Sequence, residues 1–79
     1  MLIYMQRIQS ILFNRKYFTT IQAIEWLDEH KFKHYKIDVT INFIRFRQID
    51  PLILEKEGFR HYHNKYILNK KIMFVIANK

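Results

Sequence analysis

The chain has 79 residues, 49% of them hydrophobic, no cysteine, and a formal charge of +7 from 14 basic and 7 acidic side chains. This length allows one modest core near the lower limit for unaided folding and excludes a second domain. The missing cysteines exclude disulfides, thiolate zinc sites and a cysteine nucleophile, and the apolar content excludes intrinsic disorder, so residues 1–79 read as a single small domain.

The N-terminal MLIYMQR has neither a basic stretch ahead of a long apolar one nor a small-residue cleavage site, so no secretory signal is expected. Residues 6–13, QRIQSILF, alternate imperfectly but are rich in β-branched and apolar side chains and predict a first strand, with Asn14, Arg15 and Lys16 as a polar loop. Thr19-Thr20-Ile21-Gln22 then has capping-box spacing. The Thr19 hydroxyl can accept from the Gln22 N–H while the Gln22 side chain reaches back, which predicts a helix start. Ala23, Trp26, Leu27 and His30 fall on one helical face and Glu25, Asp28 and Glu29 fall elsewhere, toward solvent. The helix should end near Lys31 without a glycine cap, with Phe32 and Tyr35 folding back beneath it and Lys31 and Lys33 at the negative end of its dipole.

Charge is unevenly spread along the sequence. Residues 20–30 hold three carboxylates and no Lys or Arg, so the rest of the chain carries +10 and any basic surface must lie away from this helix. From Ile37 the apolar period is two, but its phase shifts. Ile37, Val39, Ile41 and Phe43 are odd, Ile44 and Phe46 even, which requires a bulge or break at about residues 42–44. Arg45 and Arg47 must then point away from Ile44 and Phe46. Asp50-Pro51 ends the strand, and 52–58 reads as a connection with room for one helical turn. Residues 59–68 and 72–77 predict a hairpin joined through Asn69, Lys70 and Lys71, its second strand apolar on both faces as an inner strand is. The expected fold is α+β, a single helix packed on a mostly antiparallel three- to four-stranded sheet in the order β-α-β-β-β. One helix covers one sheet face, so the other is expected to be solvated or to meet a partner. The longest apolar run, 72–77, falls well short of the roughly 20 residues of a membrane span, and a soluble intracellular protein is expected. Ile, Lys, Asn, Tyr and Phe supply 39 of the 79 residues; all five have AT-rich codons, which points to an AT-rich genome.

Several stretches together carry a resemblance: IQSILF (8–13), FTTIQAIEWLDEHKFK (18–33), DVTINFIRFRQ (38–48) and GFRHY (58–62). In order and over most of the chain they are similar to a small domain encoded by tailed phages and large DNA viruses. Its pattern is a QSV strand, a K-x-W-T helix entry, an A-x-x-W-L-x-x-H-G-F helix, a D-x-T-x-N segment and an R-F-R-Q strand. Gln9, Ser10, Thr19, Ala23, Trp26, Leu27, His30, Asp38, Thr40, Asn42, Arg45, Phe46, Arg47 and Gln48 occupy its motif positions. Phe18 stands where the pattern has Trp, and Lys31 where it has Gly. In that family the domain occurs alone or attached to phage head-maturation proteins. The resemblance implies a viral module acting inside the infected host or in the virion, and it brings no agreed biochemical activity.

Arg45 and Arg47 could contact phosphates or could pair with Asp38 or with helix carboxylates. Asp38, Thr40 and Asn42 suit local side-chain to backbone bonds that fix a turn. His61 and His63 share a strand face, but H-x-H falls short of the three or four convergent ligands that a metal needs, so neither a metal nor another cofactor is expected. His30 reads as a hydrogen-bonded boundary residue and Trp26 as a core anchor. Tyr62 and Tyr66 share a face with Arg60 and Asn64, where they could stack bases or close a protein interface. There is no phosphate-binding glycine loop, and the single serine, Ser10, lies in a strand, so an enzyme is not expected. The leading expectation is a non-enzymatic interaction module for a viral or host protein or for itself as a homo-oligomer. The alternative is a nucleic-acid-binding module with Arg45, Arg47 and Arg60 on phosphates and Tyr62 and Tyr66 as stacking groups. No membrane partner is expected.

Overall fold

A computed structural model describes residues 5–79; most of the N-terminal stretch read above for a secretory signal lies outside the described residues. The chain runs β1 (Gln6–Asn14), α1 (Thr20–Glu29), β2 (Ile37–Val39), β3 (Phe43–Arg47), α2 (Pro51–Lys56), β4 (His61–Ile67) and β5 (Ile72–Asn78). The fold is α+β with an antiparallel sheet, which has five strands in the order β2-β3-β1-β5-β4 and is accompanied by two helices. The expectation of three to four strands and one helix is corrected on both counts.

The extra strand comes from the phase shift after Ile37. The shift is a hairpin turn between two strands, which pair Ile37 with Phe46, Asp38 with Arg45 and Val39 with Ile44. No glycine marks this turn. Thr40 makes it, its N–H donating to the Phe43 carbonyl (2.8 Å) and its hydroxyl accepting from the Phe43 N–H (3.1 Å), while Arg15 Nη1 donates to the Thr40 carbonyl (2.7 Å). The Asn42 carbonyl accepts from the Arg15 N–H (2.9 Å). The extra helix is α2, capped by Asp50, whose side chain accepts from the Leu52 N–H, with Pro51 in its first turn. Proline lacks the N–H that would be orphaned there and its φ suits a helix start, so the residues that stop β3 also begin α2.

α1 begins at the expected capping box, with Thr19 N–H donating to Gln22 Oε1 at 2.9 Å and Gln22 N–H donating to Thr19 Oγ1 at 3.2 Å. Its end is sharper than the missing glycine suggests. Lys31 takes a left-handed φ of 62°, its N–H donates to the Asp28 carbonyl and the Phe32 N–H donates to the Leu27 carbonyl (2.8 Å), the paired bonds that close a helix C-terminus. α2 ends in the same way, with Gly58 at φ 90° and the Phe59 N–H donating to the Leu54 carbonyl. Phe32 and Phe59 each fold back against their helices, whereas Tyr35, expected beneath α1, is 69% exposed. Because Lys31 holds a conformation that costs an L side chain about 1 kcal/mol or more, Lys31→Gly is expected to raise stability by about 0.5–1 kcal/mol. The urea midpoint reads this out, and an unchanged or lower midpoint would refute the strain.

Ala23 and Leu27 of α1 are buried against Ile11 and Phe13 of β1, Ile44 and Phe46 of β3 and Ile72 of β5. Trp26 packs at the edge of this core, and Glu25, Asp28 and Glu29 are exposed. The opposite face is covered at one end only, where Leu54 of α2 and Phe59 meet Ala77 of β5. β5 lies between β1 and β4, as its two apolar faces require. No helix of the described residues is long and apolar enough to cross a membrane.

Candidate functional site

The sheet face opposite α1 is set by strand register. Leu12 of β1 lies between Arg45 and Met73, and Met73 lies beside Tyr66, so one row across the sheet reads Asp38, Arg45, Leu12, Met73, Tyr66. The next reads Arg47, Ser10, Val75, Asn64. Alternation places every member of these rows on the same side. Arg7 is tied to Glu57 just beyond α2 (3.0 Å), and Arg60 lies with Tyr62 beside Pro51 and Phe59, so both belong to this side as well. Four of the five arginines therefore share one face, and the α1 carboxylates lie on the other. Tyr62 and Tyr66 are 46% and 49% exposed. Three strand spacings, about 14 Å, separate Arg45 from Tyr66. The two groups can act together only on an extended ligand.

The two arginines of R-F-R-Q differ in their surroundings. The β1–β5 register shifts between Ile8 and Ser10, a bulge that turns both Gln9 and Ser10 toward the α2 side. Gln9 is 3% exposed and Ser10 fully buried. The Ser10 hydroxyl donates to Gln9 Oε1 (2.6 Å), Arg45 Nε donates to Ser10 Oγ (3.1 Å), and Arg45 Nη2 donates to Gln9 Oε1 (3.3 Å). Gln9 Nε2 donates to the Ile49 carbonyl (3.3 Å). Arg45 is thus bonded to the buried pair through Nε and Nη2, and neither ion pair found among the described residues, Arg7–Glu57 and His34–Asp28, involves it or Arg47.

Arg47 faces a cleft. Its Nε is buried and has no hydrogen-bond partner among the described residues, an unusual state for a buried donor. The cleft, of about 320 Å³, is lined by Arg47 together with Arg7, Lys33, Tyr35, Lys36 and Asp50, with Gln48 beside them. The segment that carries its lysines is pinned at two points. Gln48 accepts from the Lys33 N–H (2.9 Å) and donates to the Lys33 carbonyl (2.8 Å), while the Arg47 N–H donates to the Lys36 carbonyl (3.0 Å). Gln48→Ala removes one of these pins. It is expected to lower stability by about 1–2 kcal/mol and to speed amide exchange at Lys33; unchanged exchange there would refute the pinning.

His30 stacks on Trp26 with ring centroids 3.9 Å apart, and its Nδ1 donates to the Trp26 carbonyl. His63 and His61 share the α1-side face of β4, where His63 Nδ1 accepts from Asn78 Nδ2 (2.7 Å). No group of three or more His, Cys, Asp or Glu residues among the described residues is placed to hold a metal ion. Asp38 lies in β2 and Thr40 and Asn42 in the turn that follows, all three exposed. Sequence reasoning missed Arg7, Lys33, Tyr35 and Lys36 as members of one cleft. Two lysines flanking a tyrosine just after a helix end would have been the signal. No protein-family model, no curated protein and no solved structure matches the chain.

Proposed function

We propose that this chain is a small non-enzymatic viral module that binds nucleic acid on the sheet face opposite α1. The observation that carries the reading is the gathering of Arg7, Arg45, Arg47 and Arg60 on one side with half-exposed Tyr62 and Tyr66. Of the carboxylates on that side, Glu57 is paired with Arg7 and Asp50 caps α2, which leaves Asp38 and Glu55, while Glu25, Asp28 and Glu29 lie on the other side. Such a face attracts a phosphate backbone, and exposed aromatic rings offer sequence-tolerant stacking platforms. The viral setting, in the infected host or the virion, rests on the resemblance to the phage and large-DNA-virus domain.

The experiment is fluorescence anisotropy of a labelled oligothymidylate with the whole chain at low salt. Binding is expected, and the Tyr66→Ala and Arg60→Glu variants are each expected to weaken it by about 1 kcal/mol or more. Full affinity in both variants would contradict the placement of the site.

A second reading, protein interaction or self-association, is favoured by a separate feature. Tyr35, Ile37, Val39 and Ile41 are all exposed along the β2 edge, Ile41 by 89%, and an uncovered edge strand can pair with another chain. On this reading the protein sediments as a dimer at high concentration, and Val39→Lys returns it to a monomer.

A further inference from the structure

We propose that the cleft between residues 33–36 and α2 is the point at which the backbone phosphate of a single-stranded nucleic acid is held, with Tyr35 at its rim to stack the adjoining base. This inference rests on the nucleic-acid reading and makes it specific.

Charge favours a phosphate in this cleft. Arg7, Lys33, Lys36 and Arg47 line one concave space together with a single carboxylate, Asp50. That carboxylate is already engaged, since one of its oxygens accepts from the Leu52 N–H at 2.9 Å. Arg7 pairs with Glu57, but both side chains are more than 40% exposed, and such a pair is weak enough to exchange for a phosphate.

The cleft is also preorganised. Lys33 and Lys36 sit on a segment fastened to β3 through the Gln48 carboxamide and the Arg47 N–H. These bonds hold the backbone of both lysines beside Arg47, and little backbone entropy is left to lose on binding. Arg47 also holds an unfilled donor there. Arg47 Nε is buried without a partner among the described residues. A guanidinium commonly takes a phosphate through two N–H groups, and a small rotation of the side chain on binding would give Nε the acceptor it lacks. Tyr35, 69% exposed beside these cations, can stack on an unpaired base but not on one inside a duplex.

The test uses the whole chain and a fluorescein-labelled oligothymidylate, read by anisotropy across a salt series. The Lys33→Ala/Lys36→Ala double variant keeps the backbone bonds that pin the segment, so it is expected to fold as the parent does, as its urea midpoint would show. It is expected to bind about tenfold more weakly or worse, with the slope of log affinity against log salt shallower by about 1.4, the share of two single-strand phosphate contacts. Arg47→Lys, which keeps the charge and loses Nε, is expected to weaken binding severalfold, and an oligothymidylate with an uncharged methylphosphonate backbone is expected not to bind. Parent-like affinity and slope in the double variant, with binding still sensitive to Arg60→Glu and Tyr66→Ala, would overturn the cleft and leave the nucleic-acid reading standing. No binding by the parent at low salt would overturn both. Equal affinity for a labelled duplex would overturn the single-strand assignment.

Discussion

Phe13→Ala is expected to destabilise the protein by about 3–5 kcal/mol, a large share of its total stability. Phe13 is fully buried on β1, and its ring meets three others edge-on: Phe18 at 5.1 Å, Trp26 at 5.7 Å and Phe46 at 5.6 Å between centroids. These partners come from the loop before α1, from α1 itself and from β3, so one side chain on β1 joins the helix to its own strand and to β3. Truncating a buried phenylalanine costs about 3–5 kcal/mol. A domain of this length has roughly 4–12 kcal/mol in total, and without cysteines it has no disulfide to limit the unfolded chain. The fluorescence of the single tryptophan, Trp26, reports the loss directly. Ile21→Ala, at a position 70% exposed on the same helix, is the control and should stay within about 0.5 kcal/mol of the parent. A Phe13→Ala midpoint close to the control's would contradict the core described above.

Gln9→Leu is expected to destabilise by about 2–3 kcal/mol although it adds apolar character at a buried position. The Gln9 carboxamide accepts from both Ser10 and Arg45 and donates to the Ile49 carbonyl. Leucine matches its size and offers none of these bonds, which leaves a buried hydroxyl and one guanidinium nitrogen short of an acceptor. Arg45→Leu should cost less, because the Ser10 hydroxyl still donates to Gln9. The two changes together should then cost less than the sum of each alone, with a coupling of about 1 kcal/mol or more in a double-mutant cycle. Strict additivity would mean that Arg45 is not part of the buried network.

This network explains why R-F-R-Q was only partly legible. Period two in Ile44 and Phe46 places Arg45 and Arg47 opposite the core, and that much is local. That Arg45 reaches Gln9 and Ser10 depends on the pairing of β1 with β3, which spans more than thirty residues of chain, and on a bulge that polar residues conceal. The Thr19–Gln22 box and the Asp50-Pro51 stop were readable because each is a short-range signal. The hairpin at Thr40 reads from the sequence as a bulge or break because a two-residue turn and a bulge shift the phase alike, and no glycine distinguishes them. The sequence offers no more than a connection with room for one helical turn at α2, because six residues with Leu54 alone buried leave no helical period to detect. Lys31 hides a left-handed helix end that Gly58 advertises in α2. The cleft is assembled from residues 7, 33–36 and 47–50, so its cations meet only once the strand order is known.

The salt dependence of oligothymidylate binding by the unmodified chain tests the functional account most directly. If Arg47, Arg60, Lys33 and Lys36 each meet a phosphate, log affinity should fall linearly with log salt with a slope of about −3. A slope near zero, or no binding at low salt, would contradict it.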